Sequence, residues 1–138
     1  MRCGTLPAFD PAAILLGMFG EKLLDHFQHP RNAGEVAGAN VKVQVSNPVC
    51  GDLLRLTAIV EKESIREIRF LCRGCTASIA CASFVTEFAS GKEIGALSSL
   101  TPEMLSESLG GLPEASFHAA HLAHEALHAL LREARAIR

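Results

Sequence analysis

Two short runs of alternating apolar and polar residues, a third apolar-rich run close behind them, and helical spacing to the end of the chain limit what this sequence can fold into. In "VKVQVS" (41 to 46) and "LLRLTAIV" (53 to 60) the period is two, that of a strand with one buried face, and "IREIRFLC" (65 to 72) follows as a third strand. Only "EKES" separates the second and third runs, the length of a hairpin connection. After Cys75 the pattern changes: "TASIACASFVTEFASG" sets Ile79, Phe84, Val85 and Phe88 at helical intervals and finishes with Gly91 as C-cap. Strands first and helices after them predict an α+β fold, a three-stranded antiparallel sheet with helices packed on one face.

Further helices flank this core. "EKLLDHFQ" (21 to 28) places Leu23, Leu24 and Phe27 on one side, and Pro30 ends it because proline cannot continue the hydrogen-bond ladder. "TPEM" at 101 caps a helix that stops at Gly110-Gly111, and Ser116 is the expected cap of a last helix. Residues 1 to 9 lack periodicity and read as a loose arm, while Asp10-Pro11 offers a cap and first turn. The organisation expected is an arm and helical extension over 1–18 and one domain over 19–138.

A chain of 138 residues is long enough to bury a core without staples. Its net charge of −2 provides no broad positive field for nucleic acid or an anionic membrane. The longest apolar run, "AAILLGMFG" (12 to 20), falls short of the roughly 20 residues of a spanning helix. Neither nucleic acid nor membrane is an expected partner; ions, small molecules or proteins are. The five cysteines are odd in number and irregularly spaced, and Asp10 and two prolines interrupt the N-terminal apolar stretch, so reduced thiols in the cytoplasm are expected.

Three separated places supply metal-ligand side chains: Cys50 and Asp52 at the start of the second strand, Cys72 and Cys75 at the end of the third, and His118 in the first turn of the last helix. In a meander, the start of one strand and the end of its neighbour share an edge, so Cys50 and Cys75 can meet. Cys75 also precedes a helix, whose free N–H groups and dipole favour a thiolate. Gly51 and Gly74 flank the thiols and would let backbone approach an ion. Two thiolates, a carboxylate and an imidazole form a candidate tetrahedral set for zinc or for iron in a cluster. A single C-x-x-C, here "CRGC", is a weak signal alone, and Cys72 is as open to a packing role as to a ligand role. Cys3 and Cys81 read as small buried apolar residues.

Most of the histidines carry less. Projected at about 100° per residue, His118, His121, His124, Glu125, His128, Arg132 and Arg135 share one side of the last helix, opposite Ala120, Ala123, Ala126, Leu127, Leu130, Leu131 and Ala134. That makes His121, His124 and His128 expected surface residues. His118 alone occupies the first turn. His26 and His29 lie beside a proline-terminated helix and read as structural.

Four segments together, "EKLLDHFQHPRNAG" (21 to 34), "NPVCGD" (47 to 52), "RFLCRGCTASIACASFVTEFASGK" (69 to 92) and "LPEASFHAAHLAHEAL" (112 to 127), resemble the iron-sulfur cluster assembly scaffold family, the IscU type also found as the N-terminal domain of NifU. The resemblance implies that fold and a non-enzymatic role: taking sulfur from a cysteine desulfurase, taking up iron, assembling a 2Fe-2S cluster and passing it to iron-sulfur acceptor proteins. It implies Cys50 and Cys75 as cluster ligands, Asp52 as the carboxylate that keeps the cluster labile, and His118 as the histidine beside the third cysteine. The chain departs from the pattern there, reading His118-Ala119 where similar proteins have cysteine after the histidine. A cluster must then use non-thiol donors or recruit Cys72. Before the histidine, "LPEAS" keeps Leu112 and Pro113 but lacks the second proline and the lysine of the chaperone-recognition stretch, so the resemblance does not extend to handover through an Hsp70-type chaperone. The same donors would serve a Zn²⁺-binding member that accepts persulfide sulfur from, or regulates, a desulfurase. A third class is a persulfide relay with Cys75 as nucleophile.

Overall fold

The structure, a computed structural model, describes residues 20–48 and 51–137. Cys3, Cys50 and the arm and extension expected over 1–18 lie outside the described residues. The elements run in the order helix α1 (Glu21–Gln28), strands β1 (Val41–Asn47), β2 (Asp52–Glu61) and β3 (Ser64–Arg73), then helices α2 (Thr76–Ala89), α3 (Ile94–Leu97), α4 (Pro102–Ser108) and α5 (Phe117–Ala136). The sheet is three-stranded with order β1-β2-β3 and both pairings antiparallel, as the alternating runs predict. Helices α2 and α5 pack on it.

Register turns the period-two pattern into a single apolar face. Val41, Val43 and Val45 lie opposite Ala58, Leu56 and Leu54, and these in turn lie opposite Ile68, Phe70 and Cys72. A slip of one residue would turn this whole set to the other face, so burial of one side fixes the pairing. Leu127, Leu130 and Leu131 of α5 and Ala77, Ala80, Cys81 and Val85 of α2 close the core from above. Cys81 is wholly buried, as expected of a small apolar residue.

The connections differ from the expectation in four places. "EKES" is a two-residue turn: Glu61 pairs with Ser64, and Lys62 and Glu63 both take positive φ, at 52° and 66°. Positive φ at both central residues is the type I′ turn, whose twist matches that of the flanking strands. The one-turn helix α3 has too few residues to show a period. Ser90 is the C-cap of α2, and Gly91 follows it with φ +81°. Ser116 precedes α5 as expected, but its side chain caps nothing, because a 3₁₀ turn over Glu114–Ser116 leads into the helix instead. Thr101 does cap α4, accepting from the Met104 amide at 3.2 Å.

The open edge of β3 is covered by neighbouring chain. Asn32 and Gly34 exchange backbone bonds with Phe70, and Gly91 and Lys92 do so with Ile65. The first of these segments is tied down by polar groups of α2. The Arg31 amide donates to Ser83 Oγ at 2.8 Å, and Ser83 Oγ lies 2.8 Å from His26 Nδ1, so its own proton is free to go to that nitrogen. His26 Nε2 then faces Glu87 at 3.4 Å. His26 is buried and structural, as the sequence suggests.

Burial holds the His26 pKa below the ordinary imidazole value; the Arg31 charge adds to this, against Glu87 and Asp25. An unfolded chain therefore binds a proton here before the folded one does, so stability falls as pH drops below about 6.5 and on through the folded value. The urea midpoint is expected to decline between about pH 7.5 and about pH 5.5. His26→Gln, which keeps a partner for Ser83, is expected to flatten part of that decline; an unchanged slope would show that His26 titrates alike in both states.

Candidate metal centre

The site grows from strand parity. Asp52 is the first residue of β2 and shares the inward parity of Leu54 and Leu56, so its carboxylate enters the helix-facing side of the sheet, where it is 4 % exposed. Antiparallel register sets Leu53 opposite Arg73, which brings the end of β3 and the following Cys75 to the same edge. Cys75 is the N-cap residue of α2, with extended backbone, and its thiol is exposed. The first turn of α5 closes the third side with His118.

Three donor atoms converge there. Asp52 Oδ2 lies 3.5 Å from His118 Nε2, Cys75 Sγ lies 3.9 Å from that oxygen, and Cys75 Sγ lies 3.8 Å from the same ring nitrogen. Among the described residues these three form one group of metal-competent side chains. An ion holding sulfur at about 2.3 Å and nitrogen or oxygen at about 2.0 Å in a tetrahedron separates its ligand atoms by about 3.3–3.6 Å. The donors stand a few tenths of an ångström outside that spacing, so a modest inward movement brings them to it. His118 Nδ1 donates to the Ala115 carbonyl at 3.2 Å, which leaves the Nε2 lone pair directed at the other two donors.

Two residues hold the carboxylate in place. Ser78, one turn into α2, donates to Asp52 Oδ2 at 2.5 Å and lies 3.3 Å from Cys75 Sγ. A short bond of this kind to a carboxylate is charge-assisted. Ser78 was not singled out by sequence reasoning; its position three residues after Cys75, inside the first turn, is the signal that could have found it. Gly74 is the second. A Cβ there would sit 2.9 Å from Asp52 Cγ, 3.0 Å from Oδ1 and 3.1 Å from Ser78 Cβ. The close approach that Gly74 permits is thus to the carboxylate. Gly51 differs: it meets nothing, and φ +76° is what calls for glycine.

Other expected groups fall elsewhere. Cys72 is half-buried on the inner face of β3, packed against the core, and burial pushes its thiol up to about 12, helped by the charges of Asp52 and Cys75. Cys81 is raised to about 12 chiefly by burial. Both thiols stay protonated near neutral pH, and only a thiolate ligates well. Ala119, whose methyl side chain has no donor atom, is fully buried in the core. The histidines expected on a solvated face divide. His121 is exposed and lines an open cleft of about 380 Å³ with Ser46, Asn47, Pro48, His118 and Glu125. His124 and His128 are half-buried toward α4. Burial lowers the His124 pKa first, with the His128 and His121 charges adding, against Glu103 and Glu125.

A family model described as the NifU-like N-terminal domain matches residues 18–137. The chain is 43% identical over 110 residues to the iron-sulfur cluster assembly scaffold protein IscU 1 of Archaeoglobus fulgidus, covering 80% of this chain and 72% of that one. It is 34% identical over 119 residues to the scaffold protein IscU of Escherichia coli, covering 83% and 92%. Among solved structures it resembles a nitrogen-fixing NifU-like protein (N-terminal) from Brucella abortus, with a TM-score of 0.72 at 12% identity over 91% of this chain and 99% of that one, a likeness of fold. The fold and the edge site thus define a protein of the scaffold type. The chain belongs to the NifU N-terminal family, which includes the IscU scaffolds.

Gly74→Ala tests the packing at the site, and its φ is not in the left-handed region, so the effect is steric. The added methyl is expected to displace the Asp52 carboxylate and to cost about 1–3 kcal/mol of stability, as overpacking does, with weaker Co²⁺ binding. A urea titration together with the cobalt absorption spectrum checks both; a variant as stable and as cobalt-competent as the parent would contradict the contact.

Proposed function

We propose that this protein is an iron-sulfur cluster assembly scaffold or carrier, which holds iron and a 2Fe-2S cluster as cargo through Cys50, Asp52, Cys75 and His118. The observation that carries this reading is the convergence of a thiol, a carboxylate and an imidazole within 3.5–3.9 Å at an edge of the sheet that solvent reaches. Cys50 enters by its place in the chain, two residues before Asp52, and by family membership. In this reading the cluster-binding unit is residues 19–138.

The donor set suits loading and release. Sulfur and imidazole favour a soft or borderline ion, whereas the harder carboxylate oxygen exchanges readily. Its Oδ2 already accepts from Ser78, so part of its electron density is committed before an ion arrives. With alanine after His118, two cysteines and two non-thiol donors make up the set. Cys72 is the reserve, near enough to feel the charges of Asp52 and Cys75 but needing to lose its proton first. In this reading a cysteine desulfurase supplies sulfur, acceptor proteins in the cytoplasm take the cluster, and the protein is no enzyme. Among the described residues no helix is long and apolar enough to cross a membrane.

Zn²⁺ is the second reading, favoured by the near-tetrahedral spacing of the three donors. Anaerobic reconstitution with iron and sulfide is expected to give brown protein with charge-transfer absorption. Cys75→Ser or Cys50→Ser is expected to lower cluster occupancy at least about tenfold, since a hydroxyl is a poor ligand for iron in a cluster. Tightly held zinc that iron and sulfide fail to displace would move the assignment to the second reading, and colourless, metal-free protein would end both.

A further inference from the structure

Helix α5 carries a pair of histidines in ring contact, away from the edge site. Residues 124–128 read His-Glu-Ala-Leu-His. Two histidines four apart on a helix stand on one face, the spacing with which H-E-x-x-H helices bind zinc. In the fold the two rings are in contact, with centroids 4.1 Å apart and planes at 39°. Neither is a freely solvated surface residue: both are half-buried, His128 against the segment that leads into α4.

Their surroundings prepare one ring as a ligand. His128 Nε2 lies 3.3 Å from the Leu100 carbonyl, a group that can only accept, so the proton sits on Nε2 and the Nδ1 lone pair is free. Backbone carbonyls fix the tautomer of metal-bound histidines in this way. Glu103, in the first turn of α4, acts on His124 electrostatically from the facing helix. Glu125, the acidic residue of the motif, lines the cleft beside His118 and His121 instead. The pair therefore has a carboxylate from a second helix within electrostatic reach, while the motif's own carboxylate serves another surface.

We propose that His124 and His128, with water completing the shell, form a second site for a divalent transition ion such as Zn²⁺, at the seam of α4 and α5. Imidazole donors suit zinc, cobalt, nickel and ferrous iron alike. The site lies about 9–15 Å along the helix axis from His118, too far for one ion to share both. It binds an ion and is assigned no hydrolytic step, and it stands independently of the cluster reading.

Zn²⁺ titration of the reduced full chain, followed through the imidazole nitrogen resonances, reads each histidine separately. The expected result is a response of His124 and His128 together, saturating at one ion before His29 and His121 respond, whatever His118 does. His124→Gln is expected to weaken the His128 response at least tenfold, and His121→Gln to change it less than twofold. The wild-type titration decides the matter even if a variant fails to fold. Silence of His124 and His128, or a response no earlier than that of His29 and His121, would overturn the site; so would an equal loss in His121→Gln.

Discussion

A carboxylate that is nearly buried at the mouth of a sheet must be met by hydrogen bonds or by charge, and the arrangement of this protein around Asp52 follows from that requirement. Strand parity sends the side chain inward. The first turn of α2 answers with the Ser78 hydroxyl, and the chain entering that helix passes so close to the carboxylate that only glycine fits at 74. Cys75, the next residue, is then fixed beside the acid, and His118 reaches it from α5. Three donors from three elements are held by one desolvated group.

The core and the site share their determinants. The register that buries Leu54 and Leu56 against α2 and α5 also fixes where Asp52 points and where β3 ends. A one-residue slip would expose the core and turn the carboxylate outward together, so the pairing that stabilises the sheet also maintains the geometry of the candidate site. The polar ties among His26, Ser83, Arg31 and Thr86 work at the far side of α2, where they anchor the segment that covers the β3 edge. Helix α2 is thus held at its first turn through Ser78 and further along through Ser83 and Thr86. Its N-terminal thiol stays exposed while its two inner faces are fixed.

Histidine placement shows how far a helical projection can be trusted. One projected face contains His118, His121, His124 and His128, but the tertiary neighbours divide it. The flank toward β1 keeps His118 and His121 at an open cleft, while the flank toward α4 half-buries His124 and His128. A projection describes the helix alone and has no knowledge of what packs on either flank. The H-E-x-x-H spacing was written in the chain throughout, yet what distinguishes it from an ordinary surface pair is the Leu100 carbonyl and the facing α4.

Much of the fold was legible because periodicity is a local property. Strands at 41–47 and 52–61 and the helices at 21–28, 76–89, 102–108 and 117–136 declare themselves through the spacing of apolar residues, and the strand at 64–73 through the short connection before it. The residue types of the site, an acid beside a glycine, a thiol before a helix and a histidine opening another, could be read in the same way. The sequence by itself therefore determined the α+β order and which side chains were candidates. The tertiary structure alone decided that Ser78 holds the acid, that Gly74 makes room for it, and that Cys72 faces the core. It also showed that Ala119 packs in the core and that one helix face serves two surroundings. The physical reason is distance along the chain: periods and caps involve residues within a few positions of each other, whereas these contacts join groups 26 and 43 residues apart, as Ser78 with Asp52 and His118 with Cys75 do.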